Sequence, residues 1–371
     1  TTAFGGGVLN VSAGATAHDV TLSGGTLNLG GKITSNVVIL GGGHEIVSAG
    51  GSVTGVAGSG TVISGLVDVL SGASFEYATV FNGGDLNVSS GATVDHISVS
   101  SGGIFNVGGT VLSNVAVFAG GVENVLSGGV VTGVTGSGTG ISGGTVNVSS
   151  GGALDHATVS GGGVLNVASG ATAHNIAVSS GGALNVAGAV TSNVAVFAGG
   201  NEIVSSGGST GPVTISGGTV ELQTGSVASG GITFSGSGGQ LKIDGTSMPT
   251  TTISGLVLGD SIDLAGVTFS SGGSATLLPG NVLRVTEGGS SYSLQLDQTP
   301  AVRFSVSVDT GGTGTLVTTH ADNPPVTTAA NVTAILGESS VLSSALFSVS
   351  DADGDVITQY AFWDTQGNGH W

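Results

Sequence analysis

GGDLNVSSGATVDHISVSS, Gly83–Ser101, holds two short alternating segments separated by serine and glycine. Leu86 and Val88 project to one side with Asn87 opposite, and Ile97 and Val99 project together against Ser98. Successive side chains of a strand point to opposite faces, so period-two alternation among β-branched residues predicts two strands of about four residues each. No helical period competes. Strands this short cannot bury an apolar side within one unit, so the unit must stack on copies of itself. Gly91, Gly102 and Gly103 supply the positive φ angles that let so short a coil turn.

Copies fill the chain. The residue between two apolar neighbours in "LNV" recurs at Asn10, Asn28, Glu45 and Asp68, then at Asn87, Asn106, Asn124 and Asn147, then at Asn166, Asn185, Glu202 and Glu221. Asn10 to Asn87 is 77 residues and Asn87 to Asn166 is 79, which makes three blocks of four units. SNVAVFAGG appears at Ser113–Gly121 and again at Ser192–Gly200, with SNVVILGGG at Ser35–Gly43. A coil of about 19 residues repeated in register is the pattern of an all-β fold, a right-handed parallel β-helix in which each rung hydrogen-bonds to the next. Twelve rungs at about 4.8 Å give a rod roughly 58 Å long. The marker column is expected to face outward, because buried carboxylates at Glu45, Asp68, Glu202 and Glu221 would cost several kcal/mol each. Two units carry insertions, TGVAGSGT at Thr54–Thr61 and TGVTGSGT at Thr132–Thr139; the third block has TGPVTISGG at Thr210–Gly218 instead. Insertions fall in loops on one side of a solenoid and mark its decorated edge.

Composition agrees. Gly supplies 73 of 371 residues and only 7% are charged, yet 39% are hydrophobic and mean hydropathy is +0.45, so the chain can bury a core and is not a disordered glycine tract. The formal charge of −18 comes from 22 acidic residues against Lys32, Lys242, Arg284 and Arg303. Phosphate backbones need several cations on one face, which excludes nucleic acid and disfavours anionic membrane as partners. No cysteine is present, so disulfides and thiolate metal sites are absent. The chain opens TTAFGGG with no signal-peptide pattern, and no run of about 18 apolar residues offers a membrane helix. Two Trp and three Tyr do not supply the aromatic girdles of a membrane barrel.

GGDLNVSSGATVDHISVSSGG and GGVLNVASGATAHNIAVSSGG resemble the strand-loop-strand passenger repeat of bacterial autotransporter adhesins of the diffuse-adherence type, over about residues 5–220. The resemblance implies an extracellular or cell-surface β-helix acting in adhesion, autoaggregation or biofilm. Its implied partners are host or bacterial surface glycans and proteins, further copies of itself, and a heptosyl glycosyltransferase that modifies repeat serines. Carried onto this chain, the acceptor candidates are Ser89, Ser90, Ser100, Ser101, Ser149, Ser150, Ser179 and Ser180.

The repeat domain is expected over 1–224. From about Gly225 the period decays, and 225–319 reads as irregular β-rich sequence capping the open end of the helix. HADNPPVTT at His320–Thr328 is a linker, and 320–371 resembles the start of a cadherin- or immunoglobulin-like sandwich, so the natural protein is expected to continue. In DADGD, Asp351, Asp353 and Asp355 alternate as hard oxygen ligands suited to calcium, though Val356 and Phe362 depart from an EF-hand. His18, His96 and His174 recur at intervals of 78, but four rungs, about 19 Å, separate neighbours, so they cannot share one ion. The NVS triplets at Asn10, Asn87 and Asn147 follow from the repeat itself, and no GGxGxD calcium nonapeptide occurs.

A non-enzymatic adhesin is the expected function. Polysaccharide lyases and epimerases also use parallel β-helices, but a polyuronate lyase needs a cation beside its base and residues 1–220 contain only Lys32. Asp95 and Asp155, three rungs apart, do not form a hydrolase pair. A structural fibre or surface-layer subunit is the third alternative, distinguished by end-to-end assembly.

Overall fold

The computed structural model describes residues 1–56, 60–298, 302–329, 344, 347–352 and 357–360. They form a parallel β-solenoid of about 14 turns with additional sheets.

Each rung has three faces. In the founding unit the first face is Asp85–Val88 and the next two are one strand, Thr93–Val99, bent at His96. Asp85, Leu86, Asn87 and Val88 pair in parallel with Ile104, Phe105, Asn106 and Val107 of the next rung. Leu86, Val88, Val94, Ile97 and Val99 are all at most 3% exposed, which places the apolar set inside on every face. Complete burial of each such side chain is worth about 1.5–3 kcal/mol, and only stacking provides it. The bend resets the alternation, because Asp95 and His96 both lie outward before Ile97 turns in. It is made by a left-handed residue, and the rungs place Asp19, Tyr77, His96, Asn114, His156 and Asn175 there, all with φ between 49 and 57°. Asn, Asp and His adopt that region more readily than most residues; Tyr77 is the exception in the column.

The Asn column faces outward as expected. Asn28 donates to Asn10, Asn106 to Asn87, Asn124 to Asn106, Asn147 to Asn124, Asn166 to Asn147 and Asn185 to Asn166, all at 2.8–3.0 Å. Asp68 joins this ladder by accepting from Asn87, and Glu221 lies outward beside Lys242 at 3.2 Å.

Glu45 and Glu202 overturn the outward expectation. Glu45 is paired with Leu27 and Val67, both interior, while Ile46 takes the column position opposite Asn28 and Asp68. Likewise Glu202 lies between Leu184 and Val220, and Ile203 between Asn185 and Glu221. Glu123, the residue before the marker Asn124, is inside too, between Phe105 and Val146. All three carboxyls are 0% exposed. The dry interior resolves the cost by neutralising them. Burial pushes Glu45 and Glu123 up to about 8 and Glu202 to about 7, the last held lower by a 2.8 Å hydrogen bond from Thr210. Val53 and Val131 hold the corresponding inward position beside Glu45 and Glu123, whose carboxyl oxygens have no hydrogen-bond partner.

The rod also runs further than the marker count of about twelve rungs. Gln240–Ile243 and Ser261–Leu264 continue the parallel sheet beyond residue 224. The free edge of Ser261–Leu264 then pairs antiparallel with Thr315–His320, which pairs antiparallel with Arg303–Val308. Ser274–Leu278, Val282–Glu287 and Ser290–Gln295 form a separate three-stranded antiparallel sheet. Val326–Ala329 and Phe347–Ser350 make a two-stranded pair. Among the described residues no helix is long and apolar enough to cross a membrane.

Candidate functional site

The corner serines fall in two rows. Ser89, Ser90, Ser149 and Ser150 turn the chain from the first face to the second; Ser100, Ser101, Ser179 and Ser180 return it from the third face to the first. In each pair the second serine is exposed, and Ser101 and Ser180 lie under a glycine of the next rung. A Cβ on Gly120 would sit 2.8 Å from the Ser101 hydroxyl, and Gly120 also has φ of +75°, so that position needs glycine for two separate reasons.

The histidines are not one repeated feature. His96 is the left-handed bend residue, whereas His174 pairs opposite Asp155 and precedes the bend at Asn175. Each binds the following rung: His18 to Thr34 at 3.0 Å, His96 to Asn114 at 3.1 Å and His174 to Thr191 at 2.8 Å. No group of metal-ligating side chains occurs among the described residues. Of the acidic run, Asp351 is described, while Asp353 and Asp355 lie outside the described residues.

A trough along the third face went unrecognised in the sequence. The Thr132–Thr139 insertion leaves the rod at the bend between the second and third faces, and the described last glycines of the two insertions, Gly60 and Gly138, each abut the next rung. Gly60 packs against the Tyr77 backbone and Gly138 against the His156 carbonyl so closely that neither has room for a side chain. Beside them the outward residues of the third face are small. The floor runs from Val62 through Ser98, Ala116, Gly140 and Ala177 to Ala195. Two hollows, about 660 and 440 Å³, share Gly138 and Gly140 and so follow one another along the rod. Tyr77 and His96 stack at 4.3 Å between ring centroids on one wall, and Phe81, 40% exposed, stands on the other.

This region is electrically quiet. Asp95 accepts from Ser113 at 2.7 Å and from the backbone N–H of His96 at 2.9 Å, and its other oxygen lies 3.1 Å from His96 Nδ1. Asp155 accepts from Asn175 at 2.9 Å and lies 2.9 Å from His156 Nδ1. Neither Lys nor Arg lines either hollow. The first face is more acidic: burial, then the charge of Asp68, raises the Asp85 carboxyl above its usual range, against a lowering hydrogen bond from Asn106.

No protein-family model matches the chain, and no curated protein matches it. Among solved structures it is similar to a crystal structure of a TibC-catalysed, hyper-glycosylated TibA fragment. The two share 31% sequence identity over 69% of this chain and 90% of that one, with a TM-score of 0.56. At that identity and coverage the stacked-coil rod is that of an autotransporter adhesin passenger, and the chain belongs to that family.

Proposed function

We propose that the protein is a non-enzymatic adhesin displayed on a bacterial surface, acting in adhesion, autoaggregation or biofilm through repeated contacts along its rod. The observation that carries this reading is the likeness, at 31% identity over most of that fragment, to a glycosylated adhesin passenger. A rod whose outer residues recur every rung offers many equivalent weak contacts, and their joint engagement multiplies avidity without any single strong site. Display on an aggregation-negative host tests it: displaying cells should settle, form biofilm or adhere to cultured cells beyond an empty-display control. Equality with the control in all three assays refutes the proposal.

Ser90, Ser101, Ser150 and Ser180, the exposed second serine of each corner pair, are proposed acceptors for a glycosyltransferase. Intact mass after co-expression with a heptosyltransferase should show increments of one heptose each, reduced when these four are replaced by alanine.

A further inference from the structure

The trough on the third face has the shape and chemistry of a polymer site. From Val62 to Ala195 it crosses eight rungs, a length of about 34 Å at the usual strand spacing. Its floor is the flat outer surface of a sheet whose backbone groups are consumed by pairing between rungs, as Ile97, Ser98 and Val99 pair with Val115, Ala116 and Val117. A peptide therefore finds no free edge to extend by strand addition, the commonest backbone-directed mode of peptide capture.

The walls are amphipathic. Apolar surface comes from the valine, alanine and glycine floor and from Phe81, with the Tyr77–His96 stack on the opposite wall. Amides come from Asn114, Asn175 and Asn193, and hydroxyls from Thr79, Ser98 and Thr158. A pyranose ring needs this combination, since its C–H face lies on an aromatic or apolar surface while its equatorial hydroxyls exchange hydrogen bonds at the edges. Phe81 and Phe118 occupy the same corner on either side of the Ser100 rung, two rungs or about 9.6 Å apart. Phe81 lines the hollow and Phe118 continues the same edge, a separation close to the length of one disaccharide step of an extended glycan.

Charge decides the class of glycan. The carboxylates beside the bend are Glu76, Asp95, which accepts from Ser113, and Asp155, which accepts from Asn175, and no cation lines the walls. On a chain of net charge −18, a polyanion such as a polyuronate or sulfated glycan would be repelled. We infer that the trough binds an extended, uncharged polysaccharide laid along its small-residue floor. This rests on the adhesin reading for its biological setting but not for its chemistry.

Affinity electrophoresis of the full chain through gels containing mannan, β-1,4-glucan or polygalacturonate tests it. At least one neutral polymer should retard the protein and polygalacturonate should not. Ala116→Arg and Ala177→Arg, which raise a long side chain from the floor, should each weaken retardation by about tenfold or more. Ile104→Arg, on the exposed first face, should have no effect. Unchanged thermal unfolding in these variants separates loss of binding from loss of fold. No retardation by either neutral polymer, equal retardation by polygalacturonate, or insensitivity to both floor variants overturns the inference. So does a trough occupied by a second copy, seen as concentration-dependent sedimentation abolished by Ala116→Arg with no polysaccharide effect. If displayed cells still adhere when the trough does not bind neutral polymer, the adhesin reading stands and the trough assignment falls.

Discussion

The buried glutamates make stability depend on pH in an unusual direction. Each of Glu45 and Glu123 titrates near 8 in the folded rod against 4.5 for an ordinary glutamate, and Glu202 near 7. The folded state therefore holds protons that the unfolded chain has released, so these groups weaken the fold progressively as pH rises from about 4.5 and stop doing so only above about 8. Over that window a shift of three and a half units corresponds to about 5 kcal/mol per group for Glu45 and Glu123, of which about 3 kcal/mol is already lost at pH 7. The glutamates are a block of four rungs apart, about 19 Å, so their effects should add. Guanidinium unfolding of the wild type between pH 4.5 and 8.5 should show its midpoint falling steadily. The triple variant E45Q/E123Q/E202Q, which keeps shape but cannot ionise, should match the wild type near pH 4.5 and exceed it at pH 8, with each single variant removing roughly a third of the slope. A wild-type midpoint that is flat or rises between pH 5 and 8, with the triple variant tracking it, would show that these carboxyls are solvated or charged in the native state and refute the reasoning.

Three further outcomes are expected. Gly120→Val combines an unfavourable left-handed backbone with collision against Ser101, and should cost more than the roughly 1–2 kcal/mol of the backbone term alone, read as a lowered unfolding midpoint. Phe105→Ala, at a side chain with no exposed surface, should cost about 3–5 kcal/mol in the same assay. Asn106 donates to both Asp85 and Asn87 and accepts from Asn124, so Asn106→Ala should cost about 1–3 kcal/mol, and an unchanged melt would show the outer ladder to be energetically idle.

Alternation and glycine spacing were enough to identify the coil, because in every rung apolar residues must meet apolar residues directly above and below. What misled was a conflict between two rules at HEIV and NEIV. Aversion to burying charge assigned Glu45 and Glu202 to the outer column, while the phase set by Val47 and Val204, both fully buried, required them inside. Phase prevails because shifting one strand by one residue would invert all its side chains, whereas a lone carboxyl can take up a proton. The last two parallel rungs were missed because QLKI and SIDL carry Lys242 and Asp263 where asparagine marks most of the others. His96 and His174 share a spacing but not a place, since the order of the two residues at the bend is reversed between blocks. The trough left no sequence signal of its own: alanine, serine and glycine in outward positions look unremarkable until loops from another rung are seen beside them.

Each repeat coil in this rod pairs with chain only about nineteen residues away, however many coils are stacked. Contact order is thus constant along the axis, and assembly can proceed like a zip, each finished turn serving as the template for the next without a search across the full chain. Lengthening such a molecule by whole blocks extends its reach from an anchoring surface while leaving the difficulty of making each turn the same.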